Sequence, residues 1–161
     1  MQPLFSHFDK QGKVTMVDVS EKPVSTREAI AVGAVLMQHD TLEIIKTDRA
    51  AKGNVLETAR IAGIMAAKKT SELIPLCHPV AITHLDIDFI LDQTASAINI
   101  QATAKSTGQT GVEMEALVAV TVSALTIYDM CKSYDKQMTL HDIMLVKKSG
   151  GRSGDFVRKK N

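Results

Sequence analysis

Two neighbouring segments in the middle of the chain alternate regularly between apolar and polar side chains. In residues 81–91, Leu85, Ile87 and Phe89 are spaced to face one side of a strand, while polar residues face the other. Residues 96–105 repeat this period of two. The polar residues 92–95 between them have the composition of a turn. The pattern therefore predicts an antiparallel hairpin with one buried face.

Helical patterns precede and follow this hairpin. Asn54 suits a helix N-cap and Glu57 stands at the capping-box position, so we predict a helix from there to about Lys69. A longer helix is predicted over residues 112–134, and its middle section, 116–128, is apolar nearly all round. A sheet covers only one side of such a helix. In a chain with a single domain, we expect another subunit to cover the other side.

Shorter segments complete the predicted fold. Strands are predicted at residues 14–19, 27–37 and 138–147, and a short helix with Asp40 as its N-cap at residues 40–45. After the first short strand, the order of the main elements is β–α–β–β–α–β. This order predicts an α+β, ferredoxin-like fold, an antiparallel sheet with helices packed on one face.

The same patterns divide the chain into three parts. We expect a flexible N-terminal arm at residues 1–13 and a single domain at residues 14–147. Residues 148–161 are rich in Gly and Ser and are basic, so we expect a flexible tail.

Composition narrows the class of protein. The formal net charge of +1 gives no global attraction to nucleic acid or to an anionic membrane. Aromatic residues make up 4% and Trp is absent, which argues against a base-stacking surface. No apolar stretch is long and pure enough to span a bilayer, and the N-terminus lacks the pattern of a signal peptide. We therefore expect a cytoplasmic protein that binds neither nucleic acid nor membrane.

A thiol and an imidazole lie between two prolines. Pro75 and Pro79 restrict the backbone around them, so Cys77 and His78 should be presented stiffly. A small buried structural cysteine explains the thiol equally well. A zinc site is not predicted, because adjacent Cys and His lack the usual ligand spacing and no second ligand pair follows.

Charged residues flank the two predicted helices. Lys52 stands beside a glycine just before a helix N-terminus, which is a weak cue for a phosphate site. Near the end of the long helix, Asp129 and Lys132 are spaced to pair. Asp129 opposes the helix dipole there, and desolvation beside the apolar section would raise its pKa. An ordinary surface ion pair explains the two residues as well.

Helix geometry limits which charges can meet. Glu113 and Glu115 lie in the first turn, where the dipole favours acids, so capping alone explains them. Glu115 and Asp129 share a face of the helix but lie about 21 Å apart along its axis. One small molecule cannot reach both in one chain. Two copies packed antiparallel would bring Glu115 of one chain near Asp129 of the other.

Five motifs occur together and in order. They are Lys-Gly-Asn-Val-Leu from Lys52, Leu-Ile-Pro-Leu-Cys-His-Pro from Leu73, Thr-Gly-Val-Glu-Met-Glu-Ala-Leu from Thr110, Tyr-Asp-Met-Cys-Lys from Tyr128 and Lys-Ser-Gly-Gly-Arg-Ser-Gly from Lys148. With these motifs the chain closely resembles the cyclic pyranopterin monophosphate synthase family, the accessory protein C group of molybdenum-cofactor biosynthesis. The resemblance covers residues 16–154.

The resemblance implies an enzyme and an assembly. The family converts (8S)-3',8-cyclo-7,8-dihydroguanosine 5'-triphosphate to cyclic pyranopterin monophosphate and releases pyrophosphate, as a phosphorus–oxygen lyase. The implied assembly is a homohexamer, a trimer of dimers, with active sites between subunits. The sequence requires no cofactor. Mg²⁺ can accompany the triphosphate, although no cluster of ligands calls for a protein-bound metal.

The resemblance also implies which residues act. Asp129 matches the family's general acid/base, with Lys132 beside it, and Lys52 matches a catalytic or phosphate-binding lysine. The implied substrate-binding residues are Leu76, Cys77, His78, Glu113, Met114 and Glu115. Position in or beside the motifs adds Asp18, Arg27, Lys68 and Lys147. In this interpretation residues 76–78 form a rigid wall for the substrate, and Cys77 is not a thiolate nucleophile.

Two other classes of protein fit the residues without the resemblance. An oligomeric nucleotide-binding module of the same fold needs anion sites but no acid/base pair. A nucleotide hydrolase would release pyrophosphate without forming a pterin. RNA binding ranks below both, given the neutral and aromatic-poor composition.

Overall fold

The computed structural model describes residue 7 and residues 11–159, which form a sheet with helices packed on one face. The strands are β1 (Ser25–Leu36), β2 (Ile82–Asp92), β3 (Ala97–Gly108), β4 (Thr139–Ser149) and β5 (Phe156–Val157). The helices are α1 (His39–Lys46), α2 (Val55–Ala67), α3 (Thr70–Leu73) and α4 (Glu113–Cys131). The sheet order is β2-β3-β1-β4-β5 and all its pairs are antiparallel. The predicted α+β, ferredoxin-like fold is confirmed.

The hydrophobic core lies between the sheet and the helix pair α2 and α4. Alternate residues of β1 and β3 point toward the helices, and the apolar residues on that face are fully buried. Ala29 and Ala31 of β1 and Ile98 and Ile100 of β3 belong to this set. Small residues on β1 let α4 lie close to the centre of the sheet.

The helices α2 and α4 pack against each other at unusually short range. The Ser123 hydroxyl of α4 donates a hydrogen bond to the Ala59 carbonyl of α2 at 3.0 Å. Gly63 faces the same seam, where an added Cβ would lie 2.7 Å from Ile87 Cδ1 and 2.8 Å from the Ala119 carbonyl oxygen. The absence of a side chain at Gly63 therefore permits the close approach of α2 to α4.

Most predicted element positions are confirmed. The hairpin becomes β2 and β3, and Asn54 caps α2 by accepting a hydrogen bond from the Glu57 backbone N–H at 2.9 Å. Two assignments are wrong. Residues 14–19 form no strand beyond a bridge at Val14, because the chain turns at Asp18. Gln38, not Asp40, occupies the N-cap position of α1, and its side chain makes no capping hydrogen bond. The Gln38 backbone N–H donates instead to the buried Asp135 carboxylate at 2.8 Å, a long-range contact.

Both ends of the chain were predicted to be flexible, and the structure describes them to different extents. The N-terminal arm at residues 1–13 falls mostly on residues outside the described part of the chain. At the other end, β4 continues to Ser149, and Phe156–Val157 pairs with Lys147 and Lys148 as β5. The flexibility of both ends stays a prediction.

The outer surface of the helix layer carries several large apolar side chains. Ile61 and Met65 of α2 and Leu125 of α4 are each more than half exposed. By length and composition α4 could cross a membrane, yet 56% of it is buried in the fold, as is usual for a core helix. The exposed apolar residues agree with the expectation that a further surface covers this layer.

We expect Gly63→Ala to destabilise the fold. Alanine improves helix propensity by about 1 kcal/mol, but overpacking in a tight seam costs typically about 1–3 kcal/mol. We expect the overpacking to win, with a fall in Tm of about 2–4 °C for each kcal/mol lost. Gly108→Ala is the control, because an added Cβ there meets no atom within 4 Å. A Tm for Gly63→Ala at or above the wild-type value would contradict the close packing.

Candidate active site

A cavity of about 800 Å³ lies at the N-terminal end of α4. The start of β1, the ends of β3 and β4 and the segment after α3 meet there. Its size suits a nucleotide-sized ligand. Seven of the predicted substrate-binding residues line it: Arg27, Leu76, Cys77, His78, Glu113, Met114 and Glu115.

Arg27 is the fixed cation of this cavity. Its side chain is almost fully buried, and Nε and Nη2 donate to the carbonyls of Gly108 and Gln109, each at 3.2 Å. The turn after β4 packs on the guanidinium, and Gly151 has a φ of +82° at a place where a Cβ would overlap it. Backbone carbonyls and a glycine turn therefore hold the guanidinium in one orientation.

The segment after α3 reaches the cavity through a proline-restricted turn. Ile74 has extended geometry, with φ −112° and ψ 107°, as predicted for a residue before proline. The Cys77 backbone N–H then donates to the Ile74 carbonyl at 3.0 Å. This turn places Leu76, Cys77 and His78 together on the cavity wall.

Burial controls two titrating groups in the cavity. Burial raises the pKa of the Glu115 carboxyl, and the neighbouring Glu113 charge adds to the effect. Burial also raises the pKa of the Cys77 thiol, with a smaller contribution from Glu115. A thiol with a raised pKa is a poor nucleophile at neutral pH. This agrees with the expectation that Cys77 does not act as a thiolate.

Two consecutive lysines of β4 have opposite orientations. Lys148 lines the cavity, where its Nζ lies 3.2 Å from Glu113 Oε1 and donates to the Ser153 hydroxyl at 3.0 Å. Lys147 does not line the cavity and instead pairs with Glu28 at 3.1 Å. The structure therefore brings Lys148 to the site, whereas sequence reasoning assigned substrate binding to Lys147.

Asp18 lies beside the cavity in a tight turn. Its carboxylate accepts hydrogen bonds from the Ser20 backbone N–H at 2.9 Å and the Ser20 hydroxyl at 2.7 Å. These bonds lower the pKa of Asp18, and the charge of His78 adds a smaller effect in the same direction. Val17 and Val19, on either side of Asp18, both line the cavity.

A second group of charges lies at the C-terminal end of α4. Asp129 accepts a hydrogen bond from Lys132 Nζ at 2.6 Å and from Lys52 Nζ at 3.3 Å. Lys52 also donates to the Asp129 carbonyl at 2.9 Å, which satisfies a carbonyl at the helix end. The three predicted catalytic residues therefore form one cluster.

The electrostatics of this cluster correct one expectation. The hydrogen bond from Lys132 and then that from Lys52 lower the pKa of Asp129, so the predicted rise was wrong. The Asp129 side chain is 59% exposed in the single chain, so desolvation is weak there. Asp129 in turn raises the pKa of Lys132. Burial raises the pKa of the adjacent Cys131 to about 11, which keeps it a thiol.

Most of the predicted site residues thus fall into two groups at opposite ends of one helix. Glu115 and Asp129 are 14 positions apart in α4, or about 21 Å along its axis. Two predicted residues belong to neither group: Lys68 is exposed at the end of α2, and Lys147 pairs with Glu28 outside the cavity. A single chain does not bring the cluster of Asp129, Lys132 and Lys52 to the cavity.

Comparison with known proteins assigns the chain to a family. The MoaC family matches residues 16–151. The chain belongs to the MoaC family. It is 60% identical over 153 residues to a protein of Desulfatibacillum aliphaticivorans named cyclic pyranopterin monophosphate synthase, covering 95% of this chain and 96% of that protein. Proteins of the same name from Heliobacterium modesticaldum and Parvibaculum lavamentivorans are 56% and 55% identical, over 98% and 96% of this chain and 99% and 96% of their own lengths.

Some residues that line the cavity of this MoaC-family chain escaped sequence reasoning. Lys22 and Gln109 were not predicted, and Lys148 and Arg152 belong to the fifth family motif but were not among the predicted site residues. Lys22 lies in what looked like a polar turn, and Gln109 in a loop of small residues. Neither segment has a periodicity from which its proximity to Arg27 could be inferred.

We expect Glu115→Gln to stabilise the folded chain at neutral and alkaline pH. Because folding raises the pKa of Glu115 above its ordinary 4.5, stability is lost as the pH rises through the raised value. Glutamine removes the cost of a buried charge, and each kcal/mol recovered raises the Tm by about 2–4 °C. Thermal unfolding at pH 8 and pH 4 should show an advantage that shrinks at the lower pH. Equal Tm values at pH 8 would contradict a buried charge at Glu115.

Proposed function

We propose that this MoaC-family chain is a cyclic pyranopterin monophosphate synthase, a lyase of molybdenum cofactor biosynthesis. Relatives with that name are 54–60% identical to it over 95–98% of its length. This agreement over nearly the whole chain carries the assignment and confirms the function and enzyme class predicted from the sequence. The substrate is a small molecule derived from a nucleotide.

The cavity at the N-terminal end of α4 is suited to the triphosphate part of such a substrate. Four cationic side chains line it, Lys22, Arg27, Lys148 and Arg152, and the His78 imidazole lies on the same wall. In the proposed reaction a sugar hydroxyl attacks the α-phosphorus and pyrophosphate leaves. Fixed cations hold the phosphates in line and stabilise the charge that develops on the leaving group.

The cluster at the other end of α4 is suited to proton transfer. The Asp129 carboxylate lies within hydrogen-bond distance of two ammonium groups, at 2.6 Å from Lys132 Nζ and 3.3 Å from Lys52 Nζ, which is the reach that proton transfer between side chains needs. Asp129 is the acceptor group of this pair and the Lys132 ammonium is the donor group. Rearrangement of a purine-derived ring to a pterin moves protons on and off nitrogen and carbon. The pair supplies both partners for these transfers.

The separation of the two groups supports an active site shared between subunits. An antiparallel partner would place its Asp129 cluster over the cavity of the first chain. The first chain would likewise place its cluster over the partner's cavity, as in the isologous interface of a twofold dimer. The exposed apolar side chains on α2 and α4 offer surface for such an assembly. We propose a homohexamer, a trimer of dimers, with its sites between subunits.

Metal ions and location complete the proposal. In the part of the chain that the structure describes, no group of three or more His, Cys, Asp or Glu side chains could hold a metal ion. Mg²⁺ would therefore arrive with the triphosphate and keep phosphate oxygens and water as ligands. A cytoplasmic location suits a chain whose two cysteines are both free thiols.

We expect Asp129→Asn and Lys132→Ala each to lower kcat by about 10²–10⁴-fold, the usual contribution of general acid–base catalysis. The assay supplies the cyclised GTP intermediate and measures pyrophosphate and oxidisable pterin together. Because both side chains are exposed in the single chain, Tm should stay near the wild-type value. Wild-type rates in either variant would contradict the assignment. If the wild type released pyrophosphate without forming pterin, it would be a hydrolase. If it formed neither product, it would be a binding module.

We expect two inactive variants to restore activity when their subunits mix. Glu115→Gln removes a group from the cavity, and Asp129→Asn removes one from the cluster of the opposite subunit. Random exchange makes half of the dimers mixed, each with one intact site, so about a quarter of wild-type activity should return.

The control mixes Asp129→Asn with Lys132→Ala, which damage the same cluster. Neither site of a mixed dimer is then intact, so no activity should return. Exchange is verified with subunits of different mass. Proven exchange without recovery in the first mixture would contradict a shared site.

A further inference from the structure

A tight turn at residues 18–22 forms one wall of the cavity just before β1. The Asp18 carboxylate binds the backbone N–H and hydroxyl of Ser20, and the Lys22 N–H donates to the Val19 carbonyl at 2.9 Å. Val19 and Lys22 line the cavity. The turn is exposed and has no regular secondary structure, so its place against the cavity depends on specific contacts.

Gln109 connects this turn to the rest of the site. Its side-chain Nε2 donates to the carbonyls of both Ser20 and Lys22, each at 3.0 Å. Since both acceptors are carbonyl oxygens, the NH₂ end of the amide must point toward the turn. The backbone of Gln109 is fixed independently, because its own carbonyl accepts a hydrogen bond from the buried Arg27 at 3.2 Å.

We propose that Gln109 is a positioning residue for substrate binding, whose amide holds the turn at residues 18–22 against the cavity. Two carbonyl oxygens that converge on one point can be bridged only by a donor. Through this bridge Gln109 fixes Asp18 within the electrostatic range of His78 and keeps Lys22 on the cavity wall. The inference rests on the proposed function for the identity of the ligand, but the contacts themselves do not.

The predicted effect is on binding rather than on chemistry. The turn lies at the cavity end of α4, and the acid–base cluster lies at the opposite end. Loss of the bridge should therefore raise KM and leave kcat close to the wild-type value. A contact needed only for folding would instead lower the Tm and the amount of active enzyme without changing KM.

The test compares three substitutions of Gln109 in the full chain. Gln109→Met keeps the length of the side chain and removes the donor. Gln109→Lys restores a donor that can reach two carbonyls. Gln109→Glu presents a carboxylate to both carbonyls and should behave at least as badly as Met. Gln101→Met is the matched control, because Gln101 is an exposed residue of β3 that does not line the cavity.

Amide hydrogen exchange of residues 17–22 is measured in the unliganded protein. KM and kcat are measured separately, with the cyclised GTP intermediate as substrate. We expect Gln109→Met to speed exchange in this segment by about 10-fold or more, the loss of two neutral hydrogen bonds. KM should rise by about 3–10-fold with kcat within about twofold. Gln109→Lys should bring both quantities back toward the wild type, and Gln101→Met should change neither.

Three results would overturn the inference: wild-type exchange in Gln109→Met, fast exchange with unchanged KM, or a lysine variant as impaired as the methionine variant. The exchange measurement needs no turnover. A wild-type protein that forms no pterin would therefore refute the proposed function, while the exchange data would still decide whether Gln109 holds the turn.

Discussion

The close contact between α2 and α4 positions the cluster around Asp129 and one wall of the cavity. Gly63 lets the two helices approach, and the hydrogen bond from Ser123 to Ala59 fixes how far one slides along the other. The start of α2 therefore places Lys52 against Asp129 at the end of α4. The other end of α2 leads through α3 to the proline-restricted segment at the start of α4. One antiparallel helix pair therefore positions both the Asp129 cluster and the cavity wall formed by residues 76–78.

The same helix carries two carboxyl groups whose pKa values shift in opposite directions. Glu115 is buried at one end, where desolvation favours the protonated form. Asp129 is exposed at the other end, where two lysines favour the ionised form. Burial dominates the first group and ion pairing the second. A shared site would bring the two groups together, and carboxyl groups whose environments push their pKa values apart are a common source of an acid and a base in one site.

Local sequence patterns predicted the main helices and strands of this protein. The features that were predicted wrongly or missed depend on contacts between residues far apart in sequence. Strict alternation identified the hairpin, and Asn54 with Glu57 identified the start of α2, because both signals are contained within a few residues. The start of α1 was misplaced because the Gln38 backbone N–H before the helix donates to Asp135, which is distant in sequence. The pKa of Asp129 was mistaken because neighbouring apolar residues face the core while Asp129 itself faces solvent. The role of Gln109 was invisible, since its partners are nearly 90 residues away.

The register of β4 has a consequence for the charge of the cavity. Ala29 and Ala31 of β1 both face the helices, and their partners are Lys148 and Leu145, three positions apart. The pairing is irregular between Ile30 and Ala31, and this irregularity changes which β4 residues face the helices. Regular alternation from Leu145 would turn Lys147 to that side, whereas the irregularity turns Lys148 there. Since lysine occupies both positions, a slip of one residue would exchange one ammonium for another. With lysine at both positions 147 and 148, either register of β4 directs one ammonium group into the cavity.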